Sequence, residues 1–428
     1  MILAAGAAEC RAHPRSLQFA SGSCNLQKMC GIMFPSTNEK HVMIEREIAP
    51  IVLKRAREFP VLTLIGPRQS GKTTLVRKCF PDYAYVNLED PETRDLAEND
   101  YKRFLSLNPA PVIIDEIQRV PKLASAIQSL VDSNRKKCGQ FVLTGSHQPR
   151  LRETVTQSLA GRSAFLKLLP LSFSELKSGP RSIDLSEDGL ILRGTMPELA
   201  MSRVDANVYY KNYIQTYLER DVRQMANIRN TSAFRRFLLL LAGRVGQLLN
   251  LDSLSGDVGV SHTTLSEWLD VLEASFIVFR LEPYHANIKK RLVKTPKLYF
   301  TETALASCLL GLKTKEQVAR DPLRGHLFEN LVVSDLVKRS LNVDSEGDLF
   351  FFRTSDGTEV DVIRRTSGGF QPIEIKAAMT WSDSLADGIR SYARVMPNPV
   401  DPTVIYGGKS HSGNASAINM SNYLDFRW

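Results

Sequence analysis

The stretch "LIGPRQSGKTTLVRKCF", residues 64–80, contains Gly66-x-x-x-x-Gly71-Lys72-Thr73, which fits G-x-x-x-x-G-K-[ST] at every fixed position. Residues of these types at this spacing hold a phosphate chain. The loop runs from Gly66 through Pro67, Arg68, Gln69 and Ser70 to Gly71, then on into Lys72, Thr73 and Thr74. Such a loop points main-chain N–H groups at phosphate oxygens. Gly66 and Gly71 allow a close approach that a Cβ would forbid. Lys72 is expected on the β- and γ-phosphates and the Thr73 hydroxyl on Mg²⁺, so the expected cofactors are ATP and Mg²⁺.

Partners for that loop stand further along. "PVIIDEIQ", residues 111–118, is an apolar run ending in Asp115-Glu116. Asp115 is expected to orient the Mg²⁺ shell. Glu116 is expected to polarise the attacking water, and with Lys72 forms the expected catalytic pair. "QFVLTGS", residues 140–146, ends in Thr144 and Ser146, which would sense a phosphate, hold the water, or simply form a turn. Arg162 follows a glycine at a helix end and is expected to contact a phosphate within the chain or in a neighbour.

The elements that must position these groups alternate. The pattern predicts strands at 61–65, 84–88, 112–115, 140–144 and 163–168, with helices at 72–79, 91–106, 122–133 and 151–159 between them. Strands alternating with helices make a parallel sheet, whose ligands bind at the carboxyl ends of the strands. The fold class is therefore α/β, with a RecA-like P-loop NTPase core over 43–178.

Pro180 and a Ser/Gly-rich stretch mark the next boundary. Residues 179–285 read as a helical, winged-helix domain. "YYKNYIQTYLERDVRQM" (209–225) sets Tyr210, Tyr213, Ile214, Tyr217, Leu218 and Val222 on one helical face, with Glu219, Arg220, Asp221 and Arg223 on the other. Helices at 251–258 and 262–274 flank the turn Gly259-Val260-Ser261, and a strand follows. The second helix carries Glu267, Asp270 and Glu273 and no Lys or Arg. That charge opposes a phosphate backbone and favours packing or oligomer formation over reading bases. The basic run 288–297 reads either as a solvated hairpin or as a nucleic-acid contact.

Residues 286–428 carry a second constellation. Glu329 lies on an amphipathic helix (323–341), Asp361 on a strand (358–365), and Glu374 and Lys376 two residues apart on another (371–376). Clustered carboxylates bind Mg²⁺, which activates water for phosphodiester attack. Cross-strand ion pairing is the plainer use of the same residues. Helix Glu, strand Asp and Glu-x-Lys together resemble the PD-(D/E)xK nuclease core.

From Met43 onward the chain resembles the prokaryotic AAA-like ATPase family whose C-terminal domain is of unknown function. The resemblance rests on "GPRQSGKTTL", "VNLEDPETR", "IIDEIQRVPKL", "LTGSHQ", "SLAGR", "LPLSFSEL", "YIQTYLERDV", "VGVSHTTLSEWLDVLEASFIVFRL", "LYFTETALASCLLG", "GHLFENLVVSDLVK" and "TEVDVIRR…PIEIKAA". It implies a P-loop ATPase module, a winged helix and an α/β, restriction-endonuclease-like C-terminal domain. "RGTMPEL" (193–199) departs from the family's usual glycine pair, and the first 42 residues have no counterpart in its pattern.

Composition excludes little. The 428 residues are 43% hydrophobic and 24% charged, with a net charge of +9. That is ordinary for a globular protein, and the diffuse positive excess is compatible with a polyanionic partner without pointing to one. No apolar run is long enough to span a bilayer. Six cysteines, none in a CxxC pair, suit a reducing, cytoplasmic setting without structural zinc. Residues 1–42 show no period; they read as a disordered extension, a presequence, or a start misassigned ahead of Met29, Met33 or Met43. The expected function is a Mg²⁺-dependent ATPase that couples nucleotide state to a nuclease-like domain acting on DNA. The alternatives are a signalling or scaffolding NTPase with an inactive, protein-binding C-terminal domain, and a DNA-binding regulator. Assembly into a homo-oligomer fits each.

Overall fold

The computed structural model describes residues 43–134, 137–146, 158–180, 182–222, 228, 230–284, 293–410 and 418–427, with only the backbone described at 219–222. The N-terminal extension, most of the helix expected over 151–159, the side chains of Glu219, Arg220, Asp221, Val222 and Arg223, and basic residues 288–292 lie outside them.

Five strands form the first sheet: β1 (Val61–Gly66), β2 (Ala84–Asn87), β3 (Val112–Asp115), β4 (Phe141–Ser146) and β5 (Ser163–Lys167). Their order is β2-β3-β4-β1-β5, and every pairing is parallel. All of β1, β3 and β4 is buried, as strands covered on both faces must be. Alternate residues serve opposite faces. Leu62, Leu64 and Ile113 pack with Leu75 and Val76, whereas Val61, Val112 and Ile114 pack with Leu123, Ile127 and Val131. The covering helices are α1 (Ala49–Glu58), α2 (Lys72–Cys79), α3 (Pro91–Asn99), α4 (Tyr101–Leu107) and α5 (Leu123–Ser133). The stretch expected as one helix over 91–106 is two. Asp100 ends α3 and caps α4, its carboxylate accepting from the Arg103 N–H.

Next come α6 (Phe173–Ser178), α7 (Glu187–Arg193), α8 (Pro197–Met201) and α9 (Ala206–Tyr213). The face carrying Tyr210, Tyr213, Tyr217 and Leu218 is buried. The stretch is not α-helical throughout: Ile214–Val222 is a π-helix, which a 3.6-residue period does not anticipate. Three helices follow: α10 (Thr231–Ala242), α11 (Leu251–Val258) and α12 (His262–Ala274). Gly259 ends α11 at φ 80°, and the Ser261 hydroxyl caps α12 by accepting from the Thr264 N–H. Trp268 stands edge-on to Phe234 at 5.5 Å. Strands β6 (Val278–Leu281) and β7 (Lys297–Phe300) then pair antiparallel. The boundary expected between 285 and 286 falls inside that pairing.

The last part contains α13 (Thr303–Leu309), α14 (Lys315–Arg320), α15 (Arg324–Asn342) and α16 (Asp387–Val395). Its sheet has the order β12-β11-β10-β9-β8, built from β8 (Leu349–Arg353), β9 (Glu359–Thr366), β10 (Gly369–Lys376), β11 (Thr403–Tyr406) and β12 (Asn419–Asn422). β8 to β10 are antiparallel, and β10 to β12 are parallel. Val362 and Ile373 share a core with Phe328 and Leu331 of α15, while Ile363 packs with Tyr392 of α16. The α15 core is continuous with that of α7 and α9–α13, running from Ile44 to Phe426.

Candidate functional site

β1 delivers the chain into the loop at Gly66, where a Cβ would lie 2.1 Å from the Leu168 carbonyl oxygen. Gln69 has φ 63° and Gly71 φ 90°, which coil the loop back over its own N–H groups before α2 begins at Lys72. The Lys72 side chain is only 5% exposed. Its ammonium donates to the Gly66 and Pro67 carbonyls at 3.0 and 2.7 Å. Burial pulls its pKa down to about 8 against the opposing pull of Glu116 and Asp115. Thr73 donates to the Asp115 Oδ2 at 2.7 Å. Thr74 is exposed, and the Ser70 hydroxyl is buried with no hydrogen-bond partner.

Asp115, 2% exposed at the end of β3, gathers three hydroxyls. Thr73 and Tyr85 donate to Oδ2, the latter at 2.8 Å, and Thr144 donates to Oδ1. Thr144 therefore orients Asp115. Glu116 follows at φ 58°, a left-handed conformation uncommon outside glycine. Its Oε2 accepts from Ser146 Oγ at 3.1 Å and from the Gln118 amide, which also donates to Ser146 Oγ at 2.9 Å. The first sheet thus brings Lys72, Thr73, Asp115 and Glu116 to the carboxyl ends of β1 and β3. An orphaned buried hydroxyl, a buried ammonium held only by loop carbonyls and a loop coiled on positive φ angles fit a triphosphate with its metal.

Arg162 requires correction. It precedes β5 at the opposite end of the sheet, its carbonyl accepting from the Val61 N–H. Its guanidinium forks onto Asp132 at 2.7 and 2.8 Å. A phosphate contact within the same chain is ruled out by the length of the strand between them.

Two groups by the loop had no sequence signal. Tyr85 was hidden in the short edge strand β2; its ring also lies 4.9 Å under the Arg77 guanidinium. Arg46, ahead of α1, donates to the Ser70 and Leu169 carbonyls, both at 2.7 Å, and pairs with Glu175 at 3.0 Å. Beyond the loop, Arg68 stacks 5.3 Å over Tyr217 of the π-helix, and the Tyr209 hydroxyl bonds to Gln69. The same neighbourhood reaches α15: Asn342 donates to Glu47 at 3.2 Å, and Asp335 accepts from the Phe173 N–H at 2.7 Å.

Burial raises the Asp335 pKa to about 6, against the pull of Arg339. The native state then holds a proton that the unfolded chain releases between about pH 4 and 6. Asp335 therefore costs stability as pH rises through that window, on the order of 2–3 kcal/mol by pH 7. Asp335→Asn is expected to flatten that part of the curve of denaturation midpoint against pH. An unchanged slope counts against it.

In the C-terminal sheet Glu329, Asp361, Glu374 and Lys376 do meet. Lys376 pairs with Glu374 at 2.6 Å and with Asp361 at 3.9 Å. Sequence reasoning missed Lys297, Tyr299 and Glu359. Lys297 closes the basic run read as a solvated hairpin or nucleic-acid contact, yet its side chain is 3% exposed and touches Glu329 and Glu359 at 3.0 and 2.7 Å. Among the described residues no three His, Cys, Asp or Glu side chains are grouped to hold a metal. Where the expected Mg²⁺ would sit, a lysine lies among the carboxylates. Burial raises the pKa values of Glu329 and Glu374, with Asp361 adding to both.

Three family models match this chain. Residues 58–177 match one described as an AAA domain. Residues 186–316 and 324–423 match two domains of unknown function, DUF8612 and DUF4143. The chain is 33% identical over 359 residues to an uncharacterized protein of Mycobacterium tuberculosis, covering 82% of this chain and 78% of that one. It is 25% identical over 358 residues to one from Haemophilus influenzae, covering 76% and 84%. The Walker-type ATPase of Pyrococcus abyssi is a solved structure with 16% identity and a TM-score of 0.39, covering 62% of this chain and 96% of that one. The parallel sheet, its phosphate loop and the AAA match identify residues 58–177 as an AAA-like P-loop domain. The chain belongs to the family of the mycobacterial protein.

Proposed function

We propose that the protein binds and hydrolyses ATP with Mg²⁺ and passes its nucleotide state to the C-terminal domain. The observation that carries this reading is the convergence of Lys72, Thr73, Asp115 and Glu116 at one end of the parallel sheet. Main-chain groups of 66–74 and the Lys72 ammonium would hold the phosphates, and Thr73 with Asp115 would hold the metal. The bound metal supplies neutralisation of charge on the phosphoryl group. Glu116, fixed by Gln118 and Ser146, takes the proton of the attacking water. Arg46 holds the Ser70 carbonyl, so the loop keeps its shape between turnovers.

The contacts Arg46–Glu175, Glu47–Asn342 and Asp335–Phe173 support coupling, since they join loop, α6 and α15. The module spans 43–178, a helical unit with α10–α12 and β6 as its winged helix spans 179–285, and a PD-(D/E)xK-like domain, which supplies the pairing strand β7, spans 286–428. Asp270 and Glu273 of α12 pair with Arg280, which supports a packing or oligomer-forming winged helix over a DNA reader. Among the described residues no helix is long and apolar enough to cross a membrane. A nuclease-like role on DNA and an inactive, protein-binding role remain the two readings of the last domain; Lys297 among its carboxylates favours the second.

The test is saturable uptake of labelled ATP by the purified chain with Mg²⁺, followed by phosphate release. No uptake at millimolar ATP would remove the proposal.

A further inference from the structure

We propose that Lys297 is an internal counter-ion: its ammonium takes the position that a divalent cation would take among Glu329, Glu359 and Asp361, and the C-terminal cluster holds no metal. This goes beyond the nucleotide reading and does not depend on it.

Geometry comes first. The Lys297 Nζ lies 3.0 Å from Glu329 Oε1, 2.7 Å from Glu359 Oε1 and 3.7 Å from Asp361 Oδ1. An ammonium has three donors, and three carboxylates surround it. A divalent cation binds carboxylate oxygens at about 2.0–2.6 Å, so it would need the same oxygens and the same space. The lysine is not free to swing away: it begins β7, its side chain is buried, and its ammonium lies 5.7 Å from the centre of the Phe351 ring.

The remaining oxygens are largely engaged. Asp361 Oδ2 accepts the Ile375 N–H at 2.8 Å and faces Lys376. Glu359 Oε2 pairs with Arg353 at 3.0 Å, and Glu374 Oε1 with Lys376 at 2.6 Å. Glu329 Oε1 also accepts the Tyr299 hydroxyl at 2.7 Å, and its Oε2 lies 4.0 Å from His326. Glu374 Oε2 is buried without a partner, where α16 closes over it at Gly388.

Charge gives the same answer. Lys297, Lys376 and Arg353 face the carboxyls of Glu329, Glu359, Asp361 and Glu374, leaving at most one negative charge. A divalent cation in that setting would create a net positive charge in a buried place, which is strongly unfavourable. Without Lys297 the balance reverses and the same carboxylates become a cation site.

The experiment titrates the full chain, free of nucleotide, with Mn²⁺ and reads bound ion by electron paramagnetic resonance. Wild type and Asp361→Asn are expected to bind the same amount. Lys297→Met is expected to gain one equivalent, lost again in Lys297→Met/Asp361→Asn. A wild-type site that Asp361→Asn removes, or Mn²⁺-dependent plasmid nicking by wild type that Asp361→Asn abolishes, overturns the proposal. So does a folded Lys297→Met that gains no ion. Should Lys297→Met fail to fold, the comparison of wild type with Asp361→Asn decides alone.

Discussion

Glu116→Gln is expected to bind ATP as wild type does and to release phosphate about 10²–10⁴-fold more slowly. The reason lies in what the substitution keeps. Glutamine has the shape of glutamate, and its amide oxygen still accepts from Ser146 and Gln118, so the left-handed turn after β3 is undisturbed. Lys72 and Thr73 take no hydrogen bond from Glu116, and Asp115 takes only its main-chain N–H, which the substitution keeps. The capacity to accept a proton is lost, together with a negative charge that helps keep Lys72 protonated, so binding is compared below pH 7. Single-turnover phosphate release, measured beside equilibrium binding of a fluorescent ATP analogue, separates the two effects. Wild-type hydrolysis by Glu116→Gln would assign the proton to another group.

Lys72→Ala is expected to lose both properties, with turnover down by at least about 10²–10³-fold, the cost of removing one preorganised charge-stabilising donor. The side chain is buried at the loop and carries the charge nearest the expected phosphates, and alanine leaves the Gly66 and Pro67 carbonyls without their donor. A pH dependence follows. With the Lys72 pKa pulled down to about 8, the free protein loses the ammonium as pH rises beyond that value. Phosphate needs the charged form, so wild-type ATP affinity is expected to fall above pH 8. Residual binding by Lys72→Ala should show no such fall. Calorimetric titration across pH 7–9 checks both, and equal affinities for the two proteins would refute the role given to Lys72.

What the sequence revealed depended on range. Gly66 to Thr73 sit within one loop, and Asp115-Glu116 end one apolar run, so their spacing is local. Arg46 finds Glu175 across 129 positions and Lys297 reaches Glu329 across 32, distances at which no spacing rule operates. Tyr85 lay in a strand of only four residues, too short to show which side chains face the site. Arg162 stands just ahead of β5 and so at the amino end of a parallel sheet whose ligands bind at the carboxyl ends, which the expected strand at 163–168 already implied. The π-helix escaped because nine residues cannot separate its period from that of an α-helix by apolar pattern alone. The C-terminal carboxylates were legible, but their buried neighbour Lys297 was not, because it comes from β7, outside the quoted motif.

The core shared by α7, α9–α13 and α15 bears on how this protein is inherited. A fragment cut at the start of the last domain would take β7 away from β6 and lay bare the side of α15 that presses on the helices before it. Such a piece is not a cassette that recombination can move intact from one gene to another. The helical middle of the chain and its far end must be acquired, and must drift, together.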